Sequence, residues 1–201
     1  MSLELDFYFD FISPYTYLAN TVLPRLSVEH RAKIHYHPFC LIDLMKLVDN
    51  RPTTLECKNK AAYAMADLQR WAAHYHVMFR PNPHWTDIDF PTLGRLALVA
   101  LDEGHGPACI DALFAAIWSD AANLAQPPVL VGVLNRVGLD GQSLVARATS
   151  PDYAERYERG TREAADRGVF GSPTMFVGPE MFFGNDRFDF LTGALERAAH
   201  A

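Results

Sequence analysis

Strand-like alternation of apolar and polar residues is confined to the two ends of this chain, which restricts its fold more than any other feature. From Leu3 to Asp10 the alternation is strict and puts Leu3, Leu5, Phe7 and Phe9 on one face of a strand. Ser13-Pro14 follows, a capping residue and a proline suited to the first helical position. Leu18, Val22 and Leu26, with Ala19 and Leu23, mark a helical stripe, and Ile34 to Phe39 reads as a second strand. A right-handed crossover through that helix makes the two strands parallel.

Between Leu41 and Thr149 the period of two vanishes. Ala61, Met65, Leu68, Ala72 and Tyr75 predict one amphipathic helix. Leu93, Leu96, Ala97 and Ala100 predict a second, and Ile110, Leu113, Phe114 and Ile117 a third. Shorter helical segments follow around Leu130–Val137 and Gln142–Thr149. Arg80 to Pro91 carries three prolines and is expected to be an irregular loop over a surface or cleft. Asp152–Arg167 is again helical. Thr174–Val177 and Met181–Phe183 are short strands around Gly178-Pro179, and Arg187–Ala199 is a closing helix. The expected organisation is βαβ and αββα ends, residues 1–40 and 150–201, forming one sheet domain, with 41–149 as a helical insertion.

Composition narrows the function classes. A net charge of −6 without a basic stripe argues against nucleic-acid binding. The acidic, alternating start does not resemble a signal peptide, and no apolar run of the ~18 residues that suggest a membrane span occurs. A cytoplasmic protein is expected. The three cysteines, Cys40, Cys57 and Cys109, form no CxxC pair, cysteine zinc site or disulfide framework, and are expected to be buried and inert. His35-x-His37 and His74-x-His76 lack a third ligand at metal spacing, so no metal is expected.

Two stretches carry candidate chemistry. Ser13 would expose its hydroxyl where a helix start favours an anion such as a thiolate, or it would merely cap the helix. Ser172-Pro173 opens a strand, an ordinary place for proline taken alone. Asp186 could cap the last helix or face a ligand. Lys46, Lys58 and Lys60 are solvated charges or carboxylate partners. His84 and Trp85, with Trp71, could line an aromatic pocket, while Trp71 could equally be core.

Four stretches read together resemble a known family: DFYFDFISPYTYLAN, DLQRWAAHY, VFGSPTMFVG and MFFGNDRFDFL. The chain is similar to the 2-hydroxychromene-2-carboxylate isomerases and kappa-class glutathione transferases, relatives of the bacterial disulfide oxidoreductases, with the isomerase branch the better fit. The resemblance implies an α/β, thioredoxin-like domain with a large all-helical insertion, as in DsbA. It puts Ser13 and Thr16 where the redox relatives carry CxxC, so the thiol would arrive on glutathione and Ser13 would donate to its sulfur. Pro173 would be the cis-proline, the Ser172 main chain would pair with the cysteinyl part, and Phe183, Gly184, Asn185 and Asp186 would surround the γ-glutamyl end, with Asp186 facing the ammonium. Two departures stand out. Ser172 occupies a position that is usually apolar, and Thr54 lies near one that often holds asparagine.

The implied reaction interconverts 2-hydroxychromene-2-carboxylate and trans-o-hydroxybenzylidenepyruvate in the breakdown of naphthalene-like aromatics. The implied ligands are glutathione and a small aromatic carboxylate held by cations, and the expected assembly is a homodimer. Two alternatives share the scaffold: a kappa-type transferase or peroxidase, and a non-enzymatic thioredoxin-like binding module.

Overall fold

The structure, a computed structural model, describes residues 3–200; the outermost positions of the two end segments, 1–2 and 201, lie outside them. Strand β1 (Leu3–Phe9) leads through helix α1 (Pro14–His30) to β2 (Ala32–Pro38), which pairs parallel to β1 from Leu3 opposite Ala32 to Phe9 opposite Pro38. The chain returns to this sheet only near its end. There β3 (Thr174–Val177) lies antiparallel to β1, with Phe7 opposite Met175, and β4 (Glu180–Phe183) closes a hairpin on β3. The order is β2-β1-β3-β4. Gly178, at φ 57°, supplies the left-handed residue that the hairpin turn needs.

Between the two halves of the sheet run α2 (Leu41–Leu47), α3 (Thr53–Glu56), α4 (Lys58–His74), α5 (Phe90–Asp102), α6 (Gly106–Trp118), α7 (Pro127–Arg136) and α8 (Gly141–Ala148). Helices α9 (Pro151–Asp166) and α10 (Phe188–Ala199) flank the closing hairpin. Among the described residues, 41–149 contain no strand. The fold is thus α/β and thioredoxin-like, with a helical insertion. The insertion is packed onto the end of β1: Phe114 of α6 meets Phe9 and Phe11 at ring-centroid separations of 5.9 and 4.6 Å. Leu5, Phe7 and Phe9 share one buried core with Leu93, Leu96, Ile110 and Leu113. The opposite face of β1 buries Tyr8 with Phe39, Leu44, Val169 and Phe176. No described helix is long and apolar enough to cross a membrane.

Three expectations need correction. The stripe on α4 is only half used: Leu68 and Ala72 are buried, whereas Ala61 and Met65 are exposed. An apolar spacing states which side of a helix could be buried, not whether another element is there to meet it. Pro91 belongs to the first turn of α5 rather than to the loop, because Asp89 caps that helix by accepting the Thr92 amide at 3.2 Å. Cys57 is exposed, while Cys40 is half-buried and Cys109 buried, with burial pushing their thiols up to about 11 and about 12.

Candidate functional site

The site grows from the end of β1. Asp10 and Phe11 leave the sheet, Ser13 keeps extended backbone angles (φ −92°, ψ 115°), and Pro14 starts α1. Ser13 Oγ accepts the Thr16 amide at 3.3 Å, so the capping role is present. The same hydroxyl donates to the main-chain carbonyl of Ser172 at 3.2 Å, so Ser13 also reaches across to the start of β3. The Ser172–Pro173 peptide bond is cis, as the family resemblance implies. The Ser172 hydroxyl points inward: it accepts the Asp10 amide at 3.1 Å and lies 2.8 Å from Thr16 Oγ1. The inward hydroxyl of Ser172 is thereby satisfied by partners in Thr16 and Asp10. Ser13 and Thr16 are thus both hydrogen-bonded to one residue of the opposing loop.

Asp10 is a functional candidate absent from the sequence expectations. It is 4% exposed; Oδ1 accepts the Ile12 amide at 3.1 Å and Oδ2 accepts the Leu41 amide at 2.8 Å. Burial raises its carboxyl to about 6, against the pull of those backbone donors. One carboxyl therefore ties the β1–α1 turn, which leads to Ser13, to the β2–α2 turn. The available sequence signal was a charged residue ending an apolar strand immediately before a helix cap.

The second arm follows β4. Gly184, at φ +98°, donates its amide to the Pro173 carbonyl at 3.0 Å, joining this turn to the first arm. Asn185 is 3% exposed; its carbonyl accepts the Tyr75 hydroxyl, while its Nδ2 has no partner among the described residues. Asp186 Oδ2 accepts from Arg187 at 2.5 Å. Helix α10 starts at Phe188 with no side-chain cap, so Asp186 does not take the capping role considered for it. Phe183 is partly exposed and packs against Phe170 at 4.7 Å between centroids. Hydrogen bonds from Ser13 to Ser172 and from Gly184 to Pro173 thus join the helix start, the cis-proline loop and the 184–186 turn.

Among the described residues, no hydrogen bond joins the remaining candidates to Ser13. Lys46 is exposed, is bound to Asp43 at 2.8 Å, and borders a cavity of 430 Å³ with Arg95, Tyr157 and Arg162. Lys58 and Lys60 are exposed at the first turn of α4, and Thr54 is exposed on α3. The His84 amide donates to Asn82 Oδ1 at 2.8 Å, and Trp85 is 39% exposed. Asn82 fastens this loop to the Ile117 and Ala122 carbonyls at 3.1 and 2.9 Å. The loop approaches α1 where Tyr17 donates to the Met78 carbonyl at 2.7 Å. Among the described residues no hydrogen bond or ring contact joins His84 or Trp85 to Ser13. Trp71 is half-buried and lies 5.4 Å from Tyr75 between ring centroids. His35 and His37 bond to Glu4 and Asp6, the latter at 2.7 Å.

A parallel βαβ start, a helix-initiating serine and a cis-proline facing it across the sheet end define a thioredoxin-like protein with no cysteine at the helix start. The chain belongs to the family of the DSBA-like thioredoxin domain, whose model matches residues 4–196. It is 36% identical over 196 residues to the 2-hydroxychromene-2-carboxylate isomerase of Sphingobium xenophagum, covering 97% of this chain and 99% of that protein. A solved structure of a 2-hydroxychromene-2-carboxylate isomerase superposes with a TM-score of 0.90 at 31% identity, covering 98% of this chain and 96% of that one. Glutathione S-transferase kappa 1 of Caenorhabditis elegans is 28% identical over 207 residues, 96% of this chain and 91% of that protein.

Proposed function

We propose that this chain is a glutathione-dependent isomerase interconverting 2-hydroxychromene-2-carboxylate and trans-o-hydroxybenzylidenepyruvate, or a close aromatic analogue. The observation that carries the proposal is the Ser13 hydroxyl at the start of a 17-residue helix, 3.2 Å from the main chain of Ser172, with no cysteine nearby in the motif. A site with that geometry stabilises a thiolate but cannot supply one. The residues fit glutathione at its other end too. Asn185 offers an amide without a partner among the described residues, and Asp186 offers a carboxylate to an ammonium.

When bound, glutathione supplies a thiolate that adds reversibly to the conjugated skeleton, making a double bond single long enough to rotate. Ser13 turns its hydroxyl from Ser172 to the sulfur, and the α1 amides and dipole favour the negative charge there. The freed Ser172 carbonyl and its amide align the cysteinyl backbone as an added strand would. Gly184, Asn185 and Asp186, with Phe183 alongside, hold the γ-glutamyl end. Lys46, Lys58 and Lys60 are assigned to the carboxylates of ligand and substrate, and His84 and Trp85 to the aromatic ring.

The protein is proposed to act in the cytoplasm, where glutathione is kept largely reduced. A second copy is the proposed occupant of the sheet edge, because β4 presents Met181 and Phe183 beside Phe190, which is 66% exposed. Turnover of the chromene acid with glutathione well below substrate is the deciding experiment. Approach to the same equilibrium mixture from either acid, with the thiol recovered, supports the isomerase. Stoichiometric loss of thiol makes the chain a kappa-type transferase, and no calorimetric binding of glutathione leaves a non-enzymatic module.

A further inference from the structure

The segment DLQRWAAHY, residues 67–75, takes no part in the sulfur site, yet it reaches both arms of the ligand-facing surface. Asp67, Trp71 and Tyr75 are spaced by four along the end of α4 and share one side of it. Asp67 Oδ2 accepts the Tyr15 hydroxyl at 3.1 Å, and Tyr15 lies in the first turn of α1, two residues after Ser13. One turn beyond Trp71, Tyr75 donates its hydroxyl to the main-chain carbonyl of Asn185. Trp71, midway between Asp67 and Tyr75 in the sequence, lies against the Tyr75 ring at 5.4 Å between centroids, and Tyr75 also meets Phe188 edge-on at 6.2 Å. Leu68 and Ala72, buried to 4% and 3% exposure, anchor the same two turns in the core.

The 184–186 turn has few other holds. Gly184 bonds to Pro173, and the Asn185 side chain, although buried, has no hydrogen-bond partner for its Nδ2 among the described residues. Tyr75 therefore sets the orientation of the Asn185 peptide, and with it the direction in which Asn185 and Asp186 are presented. Burial above all raises the Tyr15 and Tyr75 phenols, Tyr75 to about 12 against the opposing pull of its hydrogen bond with Asn185, so both hydroxyls remain protonated donors near neutral pH.

We infer that Tyr75 and Asp67 are positioning residues that set specificity for the γ-glutamyl arm of the thiol ligand. Tyr75 acts through the Asn185 carbonyl, and Asp67 acts through Tyr15 by holding α4 at a fixed spacing from α1. The inference rests on the glutathione assignment made above. It does not require either residue to touch the ligand.

The test is the ratio of two affinities, measured by calorimetry on the whole protein: glutathione against cysteinylglycine, which keeps the thiol but lacks the γ-glutamyl arm. Tyr75→Phe removes one hydroxyl and is expected to weaken glutathione about two- to twelvefold, the range spanned by one neutral hydrogen bond. Cysteinylglycine affinity should stay within about twofold, so the ratio falls. Asp67→Ala is expected to lower the ratio in the same direction and serves as the second variant if Tyr75→Phe folds poorly. Equal losses for both ligands would mark a merely structural role and overturn the inference, as would an unchanged ratio in both variants. A wild-type protein that does not favour glutathione over cysteinylglycine overturns the glutathione assignment itself, and the positioning role with it.

Discussion

Ser13 Oγ donates to the Ser172 carbonyl at 3.2 Å while accepting the Thr16 amide at 3.3 Å, so one hydroxyl joins the helix start to the cis-proline loop. Its donor is thus engaged without a ligand, yet by a carbonyl that a bound peptide can take over with its own N–H. Turning the hydroxyl toward a sulfur exchanges one hydrogen bond for another, and such exchanges have small net cost. The arrangement keeps a buried polar group satisfied before and after binding.

Ser13→Ala is accordingly expected to separate activity from stability. A thiolate that loses a charge-assisted hydrogen bond loses about 1.5–3 kcal/mol, roughly a tenfold to hundredfold drop in turnover. The lost cap costs about 1 kcal/mol of stability, which urea unfolding would register. Ser13→Cys should behave differently with oxidised glutathione. Its new thiolate attacks one ligand sulfur, a protein–glutathione disulfide forms, and one glutathione thiolate leaves. Mass spectrometry should find one glutathionyl adduct that reductant removes. Full glutathione-dependent turnover in Ser13→Ala would reduce Ser13 to a helix cap.

Gly184→Ala probes the second arm. The residue sits at φ +98°, and an added Cβ would lie 2.7 Å from Asp186 Oδ1. The backbone strain alone is about 1–3 kcal/mol, and the carboxylate must move to relieve the contact. Glutathione affinity should fall at least tenfold, with a smaller loss for cysteinylglycine. Unchanged affinity for the tripeptide would show that Asp186 is not needed where it stands.

Gly94→Ala tests the packing of the insertion against α9. An added Cβ would approach Tyr157 Cε2 to 2.4 Å, and the Tyr157 ring is only 5% exposed, so the ring or α9 must shift to make room. Overpacking of this kind costs about 1–3 kcal/mol. The denaturation midpoint should fall by a corresponding amount, and a melt within error of the wild type would mean that the helices separate easily.

The strands and α1 were legible in the sequence because each has a period that only one geometry satisfies. Leu5, Phe7 and Phe9 can share a buried face only in an extended chain, and Leu18, Val22 and Leu26 only in a helix. Ser13 and Ser172–Pro173 were legible as motifs, since cap and strand-entry signals are local. Asp10 and Tyr75 were not. Tyr75 acts on a carbonyl 110 positions away, and Asp10 acts on an amide 31 positions away, with no pattern in the intervening residues to announce either bond. The exposed start of α4 escaped for the converse reason, because Ala61 and Met65 fit a stripe whose facing element is missing from the described fold.

Asp10 supplies the last prediction, a pH dependence. Its carboxyl is raised from 3.8 to about 6, so between those values the folded protein holds a proton that the unfolded chain has released. Stability from this group is therefore fully present below about pH 4. It is lost as pH rises through 6, a change of about 3 kcal/mol for two pH units. The groups nearest in charge terms do not titrate in that window. Cys40 is raised to about 11 and Tyr157 well above its ordinary value, both chiefly by burial. Asp10→Asn removes the titration while keeping one oxygen to accept from Ile12 or Leu41. The wild-type stability minus that of the variant, from urea unfolding at pH 4, 5, 6 and 7, should fall steadily across the series and then level off. Above pH 6 the wild type also carries a buried negative charge in the turn that leads to Ser13, which opposes a thiolate at the helix start. The variant should therefore lower the pH at which bound glutathione ionises, followed by thiolate absorbance. A stability difference that stays flat from pH 4 to 7 would show that Asp10 ionises as an ordinary surface carboxylate does, and the thiolate shift would then have no cause.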